Sequence, residues 1–190
     1  MLALALTALP ASAHAEWQLK PFGGITFGGA SPFVDLDRVA GKAKLNLGVG
    51  AVWLGEVFGL EGEVATTSGF FTGSALNIPR SHVATMDGNV VVALPRRLAG
   101  YSLRPYGVTG LGLAQVSFQE KFGAYVFSRA LSAWNVGGGA TGFVSNTIGV
   151  NWEVRLFRTL QAQNPDSTSA VVENKRLSFW RATMGFAIRL

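Results

Sequence analysis

The sequence predicts an all-β fold, an eight-stranded antiparallel up-and-down transmembrane β-barrel. Apolar residues recur with period two rather than 3.6, as along strands with two unlike faces. The links between these strands alternate between short and long, the rhythm of a barrel with tight turns on one side of a bacterial outer membrane. The composition suits a chain with little solvated surface. Of 190 residues only 14% are charged and 24 are glycine, with a mean hydropathy of +0.29. An average soluble domain carries about 25% charge and about 7% glycine. Disordered chains are polar and charged, so disorder is excluded.

Residues 1–9 form a short apolar run, and Ala13-His14-Ala15 follows with small residues at the positions a signal peptidase reads. We therefore expect a signal peptide over 1–15 and one domain over 16–190, although no Lys or Arg precedes the run. The run is too short for a membrane helix, which needs about 20 apolar residues. No later stretch is long enough either, so any crossing falls to strands.

The first strand is expected over 17–29. The second, over 42–53, is one of the clearest: Ala43, Leu45, Leu47, Val49, Ala51 and Trp53 share a face, opposite Lys42, Lys44, Asn46, Gly48 and Gly50, with Val52 an exception. Weaker alternation gives strands over 57–69, 82–94, 103–118 and 132–144. The seventh, over 148–156, sets Ile148, Val150, Trp152, Val154 and Leu156 against Gly149, Asn151, Glu153 and Arg155. The eighth, over 180–190, sets Trp180, Ala182, Met184, Phe186 and Ile188 against Arg181, Thr183, Gly185, Ala187 and Arg189. Short links fall near Leu54–Glu56, Pro95–Ser102 and Ser145-Asn146, and longer ones near 30–41, 70–81, 119–131 and 157–176.

A soluble barrel would need Lys and Glu on its outer face. Here the strand charges sit on the smaller-residue face, which points inward in a membrane barrel. That face carries Lys20, Lys44, Glu61, Glu63, Asp87, Glu153, Arg155, Arg181 and Arg189, five positive and four negative. Membrane barrels place aromatics in girdles at both interfaces. Phe58 and Phe70 bracket strand three on one face, and Tyr106 and Phe118 bracket strand five. Trp17 and Trp53 fall at the periplasmic rim, Trp134 and Trp180 at the outer rim. Glycines within strands, such as Gly107, Gly110, Gly112 and Gly137 to Gly139, relieve crowding in a closed sheet.

Three stretches carry a resemblance: Arg104-Pro-Tyr-Gly-Val-Thr-Gly-Leu-Gly-Leu113, Asn151-Trp-Glu-Val-Arg155 and Phe179 to Leu190. Through them the chain resembles the small outer-membrane β-barrel family of the OmpA-transmembrane-domain and OmpX type, over essentially all of residues 16–190. The resemblance implies an outer-membrane location, a role in envelope integrity, adhesion or surface interaction, and no common catalytic mechanism. It also implies contact with the barrel-insertion machinery. Family members usually end in an aromatic residue, where this chain has Leu190.

Candidate sites are few. Gly137-Gly138-Gly139-Ala140-Thr141-Gly142 formally matches G-x-G-x-x-G, but a strand end and turn follow where a nucleotide site needs a helix. With no Cys, thiol chemistry and Cys-ligated metal are excluded. No Lys/Arg cluster exceeds Arg96-Arg97, so nucleic acid is not an expected partner. His82, beside Ser81, is the one histidine beyond residue 15, and no spacing selects a full triad around it. We expect no catalytic residue, cofactor or metal. Lys44, Glu61, Glu63, Asp87, Glu153, Arg155 and Arg181 are expected to form an interior charge network that plugs the lumen, since buried charges must be paired. Expected partners are outer-membrane lipid and lipopolysaccharide, the latter through Arg158 and Arg176 at the outer rim, where guanidinium suits phosphate. The surface ligand is not specified by the sequence. The leading reading is a structural or surface-interaction protein of the outer membrane. Alternatives are a narrow ion channel, a lipid-modifying enzyme at the rim using His82, and a soluble periplasmic ligand-binding barrel.

Overall fold

The computed structural model describes residues 15–30, 44–68, 80–99, 103–119, 126–160 and 178–190, with side chains at all of these but 28–30, 80–82, 116–119 and 126–129. Eight strands follow in chain order: β1 (Glu16–Ala30), β2 (Lys44–Leu54), β3 (Phe58–Ser68), β4 (Arg80–Ala93), β5 (Leu103–Gln119), β6 (Val126–Phe143), β7 (Ile148–Thr159) and β8 (Ser178–Arg189). Each pairs antiparallel with the next, and β8 pairs back onto β1, so the sheet closes into a barrel. The strand windows read from the sequence agree within a few residues, except that β6 starts at Val126 rather than 132. The longer links lie outside the described residues, as do residues 1–14 of the expected signal peptide.

Short connections gather at one end. Gly55 N–H donates to Phe58 O at 2.9 Å, which closes the β2–β3 turn. Ser145 N–H donates to Ile148 O at 3.1 Å, and the Ser145 hydroxyl accepts from Ile148 N–H at 3.0 Å in the β6–β7 turn. One turn of 3-10 helix, Arg96–Leu98, lies between β4 and β5. The first residue of β1 and the last of β8 meet at this same end, where Leu190 N–H donates to Trp17 O at 2.9 Å.

Burial along β3 alternates without a break. Gly59, Glu61, Glu63, Ala65 and Thr67 are buried between exposed Phe58, Leu60, Gly62, Val64, Thr66 and Ser68. This is the inverse of a water-soluble barrel. Leu45, Phe58, Met86, Leu111 and Met184 are 61–68% exposed. An apolar surface this continuous belongs against lipid, because in water it would drive association. Among the described residues the interior has two small apolar patches of its own. Val52, Leu54, Val91, Ala93 and Val108 cluster at the short-turn end, which explains the Val52 exception. Phe157 and Phe179 stack with ring centroids 5.1 Å apart.

Candidate functional site

Between those patches the lumen is filled by charge. β3 contributes Glu61 and Glu63 two residues apart, hence on one face, and β7 contributes Glu153 and Arg155 the same way. Arg155 is the hub. Its Nε and Nη2 both donate to Glu153, the latter to Oε2 at 2.7 Å. The same Nη2 donates across the lumen to Glu61 Oε1 and lies 3.4 Å from Glu63 Oε2. Lys20 from β1 reaches Glu61 Oε2 at 2.6 Å. Arg181 from β8 pairs with Glu63, and its guanidinium packs over the rings of Phe157 at 4.5 Å and Phe22 at 5.3 Å.

Amides and hydroxyls extend the network. Asn89 donates to Glu61 at 3.0 Å and accepts from Asn135 at 2.8 Å. Tyr106 Oη donates to Glu153 Oε2 at 2.8 Å and accepts from Asn151 Nδ2 at 2.8 Å. Asn151 also donates to Thr141 at 2.9 Å. Nearer the outer end, Asn46 donates to Thr67 Oγ1 at 2.9 Å, with Thr26 Oγ1 3.3 Å away from the same oxygen.

Of the residues singled out in the sequence, the structure brings Glu61, Glu63, Glu153, Arg155 and Arg181 into direct ion pairs. Asp87 is buried and directly opposite Glu63 across the β3–β4 ladder, and its Oδ2 has no hydrogen-bond partner. Lys44 sits opposite Thr26 at the outer end of β2, partly buried. Arg189, expected among the interior charges, instead occupies the short-turn rim. There it pairs with Glu16 at 2.6 Å and lies over Phe143 at 3.9 Å, because the last inward position of β8 is already at the mouth. Arg158 is exposed at the outer end of β7, opposite Trp134 and Ser178. Arg176 and the side chain of His82 lie outside the described residues.

One aromatic assignment is corrected. Tyr106 is not in a lipid-facing girdle but points inward onto Glu153. A Cβ at Gly139, its cross-strand neighbour, would come within 2.8 Å of the Tyr106 hydroxyl, so glycine is what leaves room for it. Sequence reasoning set Asn151 on the inward face but missed Asn89 and Asn135, although Asn89 shares the inward parity of Asp87 on β4. It missed Arg104 too, buried near the short-turn end.

The sequence profile of the outer membrane protein beta-barrel domain family matches residues 1–175. No curated protein matches the sequence. Among solved structures, Neisserial surface protein A superposes with a TM-score of 0.65 at 10% identity, covering 92% of this chain and 97% of that one. The N-terminal β-barrel domain of OprF from Pseudomonas aeruginosa gives 0.59 at 12% identity, with coverages of 94% and 100%. A major outer membrane protein from Thermus thermophilus gives 0.58 at 12% identity, with coverages of 93% and 100%. At such identities the likeness is one of fold.

Proposed function

We propose, on the premise that this chain belongs to the outer membrane protein beta-barrel domain family, a non-enzymatic role exercised through its surface and its rigidity rather than through its lumen. The protein is an integral outer-membrane β-barrel, and outer-membrane lipid is what its apolar band meets. The observation that supports this reading is the filled interior. Glu61, Glu63, Glu153, Arg155 and Arg181 are each at most 5% exposed, and the Val52–Val108 cluster lies below them. An eight-stranded barrel has an interior that side chains just fill. Planar-bilayer recording tests it: the reconstituted barrel should add no stepwise conductance. A sustained open level would put the narrow-channel reading in its place. For the rim-enzyme alternative, His82→Ala should leave the envelope phenotype of the cell unchanged.

The surface role falls to the outer side. β5 and β6 run 17 and 18 residues, where crossing takes about 9–11. Since the β4–β5 and β6–β7 links are at the short-turn end, the excess rises on the opposite, extracellular side. Arg158, exposed there beside Trp134, suits a lipopolysaccharide phosphate, with Arg176 as its expected companion. Replacing both by Gln should weaken lipopolysaccharide retention, and high salt should do the same to the native protein. Equal retention at low salt would remove lipopolysaccharide from the partners. Assembly itself calls for the barrel-insertion machinery, with β8 as the closing strand.

A further inference from the structure

The short-turn end carries a second group of arginines, and their environments differ. Arg104 is 7% exposed. Its Nε donates to Leu94 O at 2.9 Å, and its Nη2 donates to Gly55 O at 3.0 Å and Glu56 O at 2.7 Å, which bolts two turns together. Arg189 is held by Glu16 at 2.6 Å and by Asn146 O at 2.8 Å. Arg96 shares the same Glu16 oxygen at 2.5 Å, yet 46% of its side chain is exposed. Arg97 is exposed and makes no ion pair or hydrogen bond with any described residue. Against these four guanidiniums, the side-chain carboxylates at this end among the described residues are Glu16 and Glu56, and Glu16 is already divided between two of them. Arg97 is left without a counterion among the described residues.

The surroundings say what supplies it. Leu98 follows Arg97 in the same 3-10 turn and is 64% exposed. Leu94, Leu103 and Phe58 are exposed nearby and continue the lipid-facing band down to the turn. An exposed arginine beside an exposed leucine at the foot of such a band matches the boundary between phosphate and acyl chain. A phosphate free in the periplasm would have no use for the leucine.

We propose that the turn Arg96-Arg97-Leu98 is a phospholipid site in the periplasmic leaflet, with Arg97 and the open side of Arg96 on the phosphate of an anionic phospholipid and Leu98 against its chains. Guanidinium binds phosphate through parallel hydrogen bonds. The site is separate from the outer-rim contacts and does not depend on them.

Trp17 and Trp53 pair across β1 and β2 at this end and serve as reporters once Trp134, Trp152 and Trp180 are replaced by Phe. The barrel is reconstituted in phosphatidylcholine vesicles containing chain-brominated phosphatidylglycerol or chain-brominated phosphatidylcholine, and tryptophan quenching gives the relative affinity. The native turn should prefer phosphatidylglycerol. That preference should fall about fivefold in Arg97→Gln and further in Arg96→Gln/Arg97→Gln. Arg97→Gln breaks no ion pair or hydrogen bond with a described residue, so its heat-modifiable gel mobility should stay native. An unchanged preference in both variants overturns the proposal. Loss of the preference when inorganic phosphate is added at constant ionic strength also overturns it, in favour of a soluble-anion site.

Discussion

Arg155 and Arg181 stand directly opposite each other on β7 and β8, two like charges in one cross-strand pair. Such a pair is destabilising alone, and it persists because Glu61, Glu63 and Glu153 surround it. Removing one partner strands the other in the lumen. Arg181→Met should therefore lower stability by about 3–5 kcal/mol, measured by denaturant unfolding in detergent, whereas Arg181→Met with Glu63→Gln should recover much of it. Strict additivity of the two changes would argue against direct pairing. Asp87 should behave oppositely. It faces Glu63 and has no cation of its own among the described residues, so Asp87→Asn should raise the unfolding midpoint, by about 1 kcal/mol of stability. Which residues carry the lumen charge is legible from parity alone. Who pairs with whom is not, because Glu61 and Arg155 are 94 positions apart and meet only once the sheet has closed. In the closed barrel Glu153 binds its own-strand neighbour Arg155, and Arg181 takes Glu63.

A strand here is defined by its lipid face, so its legibility tracks depth. β2, β7 and β8 alternate cleanly in sequence because most of their length lies in the apolar band. The start of β6, Val126 to Leu131, mixes Val, Phe, Ser, Arg, Ala and Leu without period, since outside the band neither face must be uniformly apolar. β5 hides its parity differently: Leu111 and Leu113 face out, but Gly110, Gly112 and Ala114 face in, so neither side looks polar and pattern alone puts Tyr106 on the wrong one. Depth also predicts cost. Leu111 and Leu45 are similarly exposed at 65% and 61%, but Leu111 lies mid-strand level with the lumen charges and Leu45 lies at the outer end of β2. Leu111→Arg should cost roughly 2–4 kcal/mol in vesicle-refolding equilibria and Leu45→Arg roughly 0–1. Equal penalties would place the band elsewhere.

At the scale of the molecule, the sequential pairing of strands follows from the hairpin rhythm, but the seam that makes a barrel of the sheet joins segments from the two ends of the chain. β1 and β8 pair from Gln18↔Arg189 to Ala30↔Ser178, with a register shift between Phe27 and Ala30. Every other contact in the sheet is between strands consecutive in sequence, so this one carries the largest loop-closure cost and comes late in any sequential assembly. Nothing in the local pattern of either strand announces the register. What fixes it is backbone proximity at glycine. A Cβ on Gly185 would come within 2.7 Å of the Phe22 Cα, and 2.8 Å of its Cβ, so β8 and β1 approach more closely there than any other residue allows. By contrast, a Cβ on Gly62 meets nothing within 4 Å, because that position faces outward. Gly185→Val should therefore block closure and leave the chain at its unfolded gel mobility without heating. Gly62→Val, the same change in volume on the lipid side, should retain the fast, heat-modifiable band. If Gly185→Val closes as readily as Gly62→Val, the seam tolerates a wider spacing than the one seen, and the register of β8 on β1 must be set by the side-chain pairs around it.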